Sequence, residues 1–347
     1  MKITKLLTIV FAFALLFTTS CSSDDNNLSD ETYYGNGFLL SNEGNFGKPN
    51  ADVTYISSDL DMKQDNIFSA NNGDSNLGDV LQMISFNGDN AYLLLNNSNK
   101  IQIVNRSNFK RAGEITAQLN SPRFMAFANN NIYVTNDKYG GDKYVSIYKS
   151  SDLSFVKKIN FTETVERIVE AGNNIFVQNA SFGFGNKITY ITTSNNEVQS
   201  TITIPNGNIN KMIVNNETVY AIAAGTADSY IYQISNTGSI TKTYTLTGIT
   251  DATNLEIEKG KFYFTSGLKV YAMDLTATAV PSTPLFTVTN SVDPYSDLYG
   301  FSVVNDRIFV SDANGFTQDS KISVYSTNGS LLKTFTAGKG TNGAYWN

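Results

Sequence analysis

The side chains that carry most enzymatic chemistry are scarce or scattered in this chain. Histidine is absent from all 347 residues, and cysteine occurs once, at Cys21. That composition excludes Ser-His-Asp and Cys-His nucleophilic machinery and removes imidazole from the possible metal ligands. It also leaves no side chain that ordinarily titrates near neutral pH. Carboxylates remain: Glu43, Asp79, Asp137, Asp297 and Asp312 stand near the ends of predicted strands. Two of them facing one another could serve as acid and base, as in glycosidases, but separation in space does not follow from spacing along the chain. Asp312-Ala-Asn314 with Asp319 falls short of a full calcium-ligand set. The expectation is a protein that is not an enzyme and has no cofactor and no metal site.

A second group of residues suits holding a ligand. Phe46, Tyr139, Phe182, Phe184, Tyr299 and Phe316 fall in short stretches dense in Asn, Ser and Gly. Phe182-Gly-Phe184 sets two aromatics around a glycine with no strand to pack into. Rigid amphipathic rings beside amide donors and acceptors fit a bulky, mostly neutral ligand such as a corrinoid or a sugar chain. Asn also serves the turns themselves. Arg123, after Pro122 at the start of an apolar run, fits a structural bridge between repeats as well as a ligand contact.

A repeat positions these residues. Residues 119–162 contain four short runs rich in β-branched and aromatic residues: Arg123–Ala128, Ile132–Asn136, Tyr144–Tyr148 and Phe155–Phe161. Asn, Asp, Ser or Gly bounds each, and none reaches helical length, so each reads as a strand. The aromatic of the second strand recurs as Phe38, Tyr92, Tyr133, Phe176, Tyr220, Tyr263 and Phe309, at intervals of 54, 41, 43, 44, 43 and 46 residues. Four strands in a period of roughly 40–50 residues are the signature of a propeller blade. The predicted fold is all-β: a seven-bladed β-propeller over residues 36–347. Phe38 has no first strand before it, and a spare strand, Gly343–Trp346, follows the last blade. Pairing of that strand with Gly37–Asn42 would complete a composite blade and close the ring through its N- and C-terminal strands.

In this topology the loops after the second strands and the starts of the first strands share one rim of a central funnel. The loops are Glu43–Phe46, Asn96–Ser98, Asn136–Tyr139, Asn179–Phe184, Ala223–Ala227, Ser266–Gly267 and Asp312–Phe316. The strand starts add Gln82, Arg123, Arg167, Asn210, Asn254 and Tyr299. The expected ligand-binding set is Phe46, Arg123, Tyr139, Phe182, Phe184, Tyr299 and Phe316.

Met1–Ser20 has the form of a secretory signal: Lys2 and Lys5, the apolar run Leu6–Phe17, then small residues. Residues 21–35 hold little apolar content and read as a flexible tether. Twenty-five Lys and Arg face 31 Asp and Glu, a net charge of −6, and there is no basic run, so a nucleic-acid partner is not expected.

Four resemblances refine this picture. Cys21, directly after the signal core, resembles the lipidated cysteine of bacterial lipoproteins, and Ser22–Asn27 resembles the acidic signal that sends Bacteroidetes lipoproteins to the outer face of the outer membrane. Tyr133-Val-Thr-Asn136 resembles the YVTN propeller repeat of surface-layer proteins. Gly37–Phe46, Leu77-Gly-Asp79, Asn96-Asn-Ser98, Ser121-Pro-Arg123, Leu298–Phe301, Phe309–Ala313, Gly329–Leu332 and Gly343–Trp346 occur in that order across the domain. That series resembles the Bacteroidetes surface-layer or YncE-like β-propeller lipoproteins, some of which capture vitamin B12 beside a TonB-dependent transporter. The resemblance implies a lipid-anchored protein on the cell surface, capturing a bulky nutrient for such a transporter. An adhesion or glycan-binding propeller is the alternative. If Cys21 carries the anchor, Cys21→Ala should move the protein from the membrane to the soluble fraction. Acyl chains, at ~0.8 kcal/mol per buried methylene, supply nearly all such affinity. A variant that still sediments with membranes would remove the anchor.

Overall fold

The computed structural model describes residues 33–289, 293 and 295–347; the expected signal peptide, Cys21 and the acidic stretch lie outside them. The alternating apolar runs form seven antiparallel sheets of four strands each, arranged as a ring of blades. Blade 3 spans Pro122–Ala128, Asn131–Asp137, Lys143–Lys149 and Phe155–Phe161, each predicted strand being recovered with at most one further residue at an end. The seven second-strand aromatics are all buried, as expected of positions between blades.

The core is divided in the same way as the ring. Each of seven apolar clusters joins side chains of two neighbouring blades. Between blades 3 and 4, for example, Phe124, Tyr133, Val145 and Ile147 meet Ile168, Ile175, Val177 and Ile191. A sheet with both faces apolar needs a neighbour on each side, and the ring supplies one. The outer strands are the open edges. They carry Lys157 and Lys158 in blade 3, Lys242 in blade 5 and Lys333 in blade 7, charges that discourage edge-to-edge pairing.

Buried amides tie second strands to third strands near the rim. Asn42 Nδ2 donates to Thr54 Oγ1 at 3.0 Å, Asn136 Nδ2 to Ser146 Oγ at 3.0 Å, and Thr189 Oγ1 to Asn179 Oδ1 at 2.6 Å. The same device in three blades explains why Asn ends these strands.

Closure follows the expected pairing of the two terminal strands. Thr341–Trp346 lies antiparallel to Gly37–Asn42, with Phe38 opposite Trp346, Leu39 opposite Tyr345 and Leu40 opposite Ala344. Phe38 packs on Trp346 and Phe309, with ring centroids 4.9 and 4.7 Å away. Asn347 acts as a clasp. Its Nδ2 donates to the carbonyls of Tyr34 (2.7 Å) and Arg106 (2.8 Å), and its Oδ1 accepts from Arg106 Nε at 2.8 Å.

One expectation needs correction. The folded unit begins at Tyr34, within the segment read as a tether. Tyr34 is fully buried, edge-on to Tyr55 and Phe109, and its hydroxyl accepts from Asn71 Nδ2 at 2.8 Å. A single aromatic in a polar stretch gives too little local signal to mark a docked segment. The long first interval comes from a short helix, Ile67–Asn71, after the two-residue outer strand Lys63–Gln64. Its N-cap residue makes no side-chain bond. Instead Asp52, far back in the chain, accepts from the amides of Phe68 (2.9 Å) and Ser69 (3.2 Å). Five residues capped from a distance escape a reading based on periodicity.

Deleting Gly343–Asn347 should make the protein aggregate. It removes several backbone hydrogen bonds worth ~1 kcal/mol each, buried aromatic area and the clasp, against a net stability of roughly 5–15 kcal/mol. A truncation that melts like the intact chain would show that closure does not limit stability.

Candidate functional site

The seven inner strands run from the rim into the molecule, so their early residues line the mouth of the channel and their late residues its floor. All seven blades contribute to a central cavity of about 710 Å³. Phe86, Val169, Val214, Val304 and Trp346 make the deep part apolar, whereas Gln82, Arg167, Lys211, Asn254, Glu256 and Asn342 make the mouth polar, with Glu43 and Tyr299 beside them.

Glu43 is the centre of one cluster. Its Oε1 accepts from Tyr299 Oη and from Asn342 Nδ2, both at 2.8 Å. Asn342 Nδ2 also donates to the carbonyls of Leu81 (3.0 Å) and Gln82 (3.2 Å), and Asn342 Oδ1 accepts from Ser41 Oγ. Burial raises the pKa of Glu43 from its ordinary 4.5, although both hydrogen bonds pull the other way. Burial and the neighbouring carboxylate push Tyr299 well above 10.0.

Cations form a second cluster. Arg123 makes a two-pronged pair with Glu166, Nε to Oε2 at 2.9 Å and Nη2 to Oε1 at 2.8 Å, and so bridges blades 3 and 4. Lys211 Nζ meets Glu256 Oε1 at 2.7 Å, joining blades 5 and 6; burial lowers its pKa from 10.5 while Glu256 opposes the shift. Arg167 lies between these pairs, its guanidinium 4.4 Å from the centre of the Phe124 ring.

The expected aromatics separate into two groups. Phe46, Tyr139 and Phe182 stand on rim loops, and Phe184, read as lying in a loop, instead opens the strand Phe184–Thr192 at the same rim; they are 81%, 102%, 90% and 77% exposed. Phe182 and Gly183, both at positive φ (49° and 79°), form the two-residue turn between paired Ser181 and Phe184. Left-handed backbone is costly for a phenylalanine, by roughly 1–2 kcal/mol. Gly185 is required beside it: at φ 109°, a Cβ there would lie 2.5 Å from the Asn179 carbonyl. Tyr299 belongs elsewhere, half-buried at the mouth and edge-on to Phe316 at 4.7 Å.

The loop that carries Glu43 and Phe46 is held by residues of the quoted motifs. Asp79 Oδ2 accepts from the Gly47 amide at 3.0 Å and from Asn97 Nδ2, while the Asp79 amide donates to Ser98 Oγ at 2.8 Å. Asp312 accepts from Ser296 Oγ and the Asn314 amide, at 2.9 and 2.8 Å, which makes Asp312-Ala-Asn314 a turn. Among the described residues, no group of three or more His, Cys, Asp or Glu is placed to hold a metal.

The sequence reading missed Asn342, Glu166, Lys211 and Glu256. A signal was present. Arg123, Arg167 and Lys211 recur at intervals of 44 residues, the blade period, so the three cations fall on or directly before the inner strands of consecutive blades.

Fold and site together define a seven-bladed β-propeller with a polar funnel mouth beneath a rim of exposed aromatics. The chain belongs to the DUF5074 family, described as a domain of unknown function, whose model matches residues 36–344. It is similar to a crystal structure of a quinonprotein alcohol dehydrogenase-like protein from Bacteroides thetaiotaomicron VPI-5482, with a TM-score of 0.71 and 13% identity, over 90% of this chain and 79% of that one. It also resembles a functionally unknown protein from Desulfotomaculum acetoxidans DSM 771, with a TM-score of 0.66 and 10% identity, over 89% and 98% of the two chains. At such identities the likeness carries the fold alone. No curated protein matches the sequence.

The raised pKa of Glu43 has a consequence with a definite sign. The folded chain binds this proton more tightly than the unfolded chain, so the contribution is fully present below pH 4.5 and is lost as pH rises through the folded value. Glu43→Gln keeps both acceptor contacts and lacks the titration. Between about pH 4 and 7 its melting temperature should therefore improve relative to the unmodified protein. A difference that does not change with pH would contradict the assignment.

Proposed function

We propose that this chain is a surface-exposed outer-membrane lipoprotein that captures a bulky, weakly charged nutrient, a corrinoid first, for a TonB-dependent transporter. The observation that carries this reading is the exposure of Phe46, Tyr139, Phe182 and Phe184 on one rim. Each open ring forgoes roughly 1.5–3 kcal/mol of burial, and Phe182 adds left-handed backbone at a loop tip. Neither serves the core, and both suit a large ligand laid across the funnel. The cell-surface address and the transporter rest on Cys21, Ser22–Asn27 and the motif series.

The reading includes binding without conversion. In the mouth, Glu166 is engaged by Arg123, Glu256 by Lys211, and Glu43 by Tyr299 and Asn342. Carboxylates so occupied are poorly placed to act as an acid and base pair.

Calorimetry with cyanocobalamin tests the ligand. Phe184→Ala should cost ~1–2 kcal/mol of binding with the melting temperature unchanged, because its ring makes no core contact. Tyr299→Ala should lower both affinity and melting temperature, since it also opens the Glu43 cluster. No heat at micromolar protein would sink the corrinoid reading, and a positive glycan array in its place would establish the adhesion alternative.

A further inference from the structure

The Arg167 side chain is unlike every other cation in the mouth. Arg123 is held on both prongs by Glu166, and Lys211 by Glu256. Among the described residues, no hydrogen-bond or ion-pair partner takes the Arg167 guanidinium, which lies over the Phe124 ring and lines the cavity. The surface it keeps faces the lumen, and this burial draws its pKa down from 12.5 against the attraction of Glu166 and Glu256. Arg123, Arg167 and Lys211 lie on three consecutive blades, with Glu166 and Glu256 between them and Glu43 also at the mouth, and Arg167 is the one of the three cations that no carboxylate holds. Tyr345 is the other titratable group within reach, and burial raises its pKa, keeping it neutral.

We infer that the channel mouth binds a small oxyanion, a carboxylate or a phosphate, on the N–H edge of Arg167. A guanidinium with one face stacked and its donors open presents the planar fork that such anions take with two parallel hydrogen bonds. Lys211, on the next inner strand, adds field without donating, because Glu256 holds it. The cavity, at about 710 Å³, admits an anion that enters alone as readily as an acidic group projecting from a larger molecule. The inference does not rest on the nutrient reading and would stand if no corrinoid bound.

The probes are inorganic phosphate and glutarate, with sodium chloride at matched ionic strength as control. The readouts are melting temperature and the fluorescence of Trp346, the only tryptophan in the chain, which lines the same cavity. At least one of the two anions should give a saturable response that chloride does not. Phosphate alone or glutarate alone would name the class. Arg167→Gln should weaken that response by at least ~10-fold, the loss expected for a charge-assisted hydrogen bond. Arg167→Lys keeps the charge without the fork, so a several-fold loss is expected from it. If Arg167→Gln folds poorly, the lysine variant decides, and unchanged affinity in it overturns the assignment. So does the absence of a saturable response to either anion, or an Arg167→Gln protein that responds as the unmodified one does.

Discussion

Ring closure is the constraint on which the rest depends. Every blade is apolar on both faces, so six interfaces would leave two large surfaces open to water. The seventh interface is built by a strand from the far end of the chain. Thr341–Trp346 occupies the innermost position of blade 1 and brings Trp346 against Phe38, while Asn347 locks onto Tyr34 and Arg106. The domain carries no cysteine, so this closure is entirely non-covalent. It must therefore come from ladder bonds, packing and the clasp, each modest alone and additive only once the ring is shut.

Closure also builds the site. Asn342, on the closing strand, holds Glu43 on the facing loop and reaches the carbonyls of Leu81 and Gln82 in blade 2. Blades 1 and 2 meet at that amide, and Glu43 carries the link on to Tyr299 of blade 7, so the seam of the ring and the polar mouth are one structure. Around the rest of the mouth the charges come in pairs between blades, Arg123 with Glu166 and Lys211 with Glu256. Pairs taken this far out of water gain little net stability, but removing either partner strands the other. They tie blade 3 to blade 4 and blade 5 to blade 6, and leave Arg167 as the cation that no carboxylate holds.

The rim is divided between rigid and open parts. Asp79, Asn97 and Ser98 hold the loop from Glu43 to Gly47, and the Phe182-Gly183 turn is set by paired strands on either side. The aromatic rings above these anchors point into solvent. Fixed backbone with free rings lowers the ordering cost of binding a large ligand.

The sequence by itself determined the architecture. Strand alternation, the recurring aromatic from Phe38 to Phe309 and the spare strand Gly343–Trp346 specified seven blades and their closure, because these signals are local and repeat. It also marked Phe46, Tyr139, Phe182 and Phe184 as rim residues, since an aromatic within a turn has no strand to bury it. Tertiary structure alone decided what required distance. Tyr299 has the same local look as Phe184, but a carboxylate 256 residues away turns it into part of the mouth. Tyr34 docks into a groove made by blades 1 and 2, and the Ile67–Asn71 helix is capped by Asp52 from another strand. The 44-residue spacing put Arg123, Arg167 and Lys211 on or directly before the inner strands of consecutive blades. Which of them is neutralised depends on where Glu166 and Glu256 come to lie across the channel, and Coulomb interactions follow separation in space, which the blade packing sets.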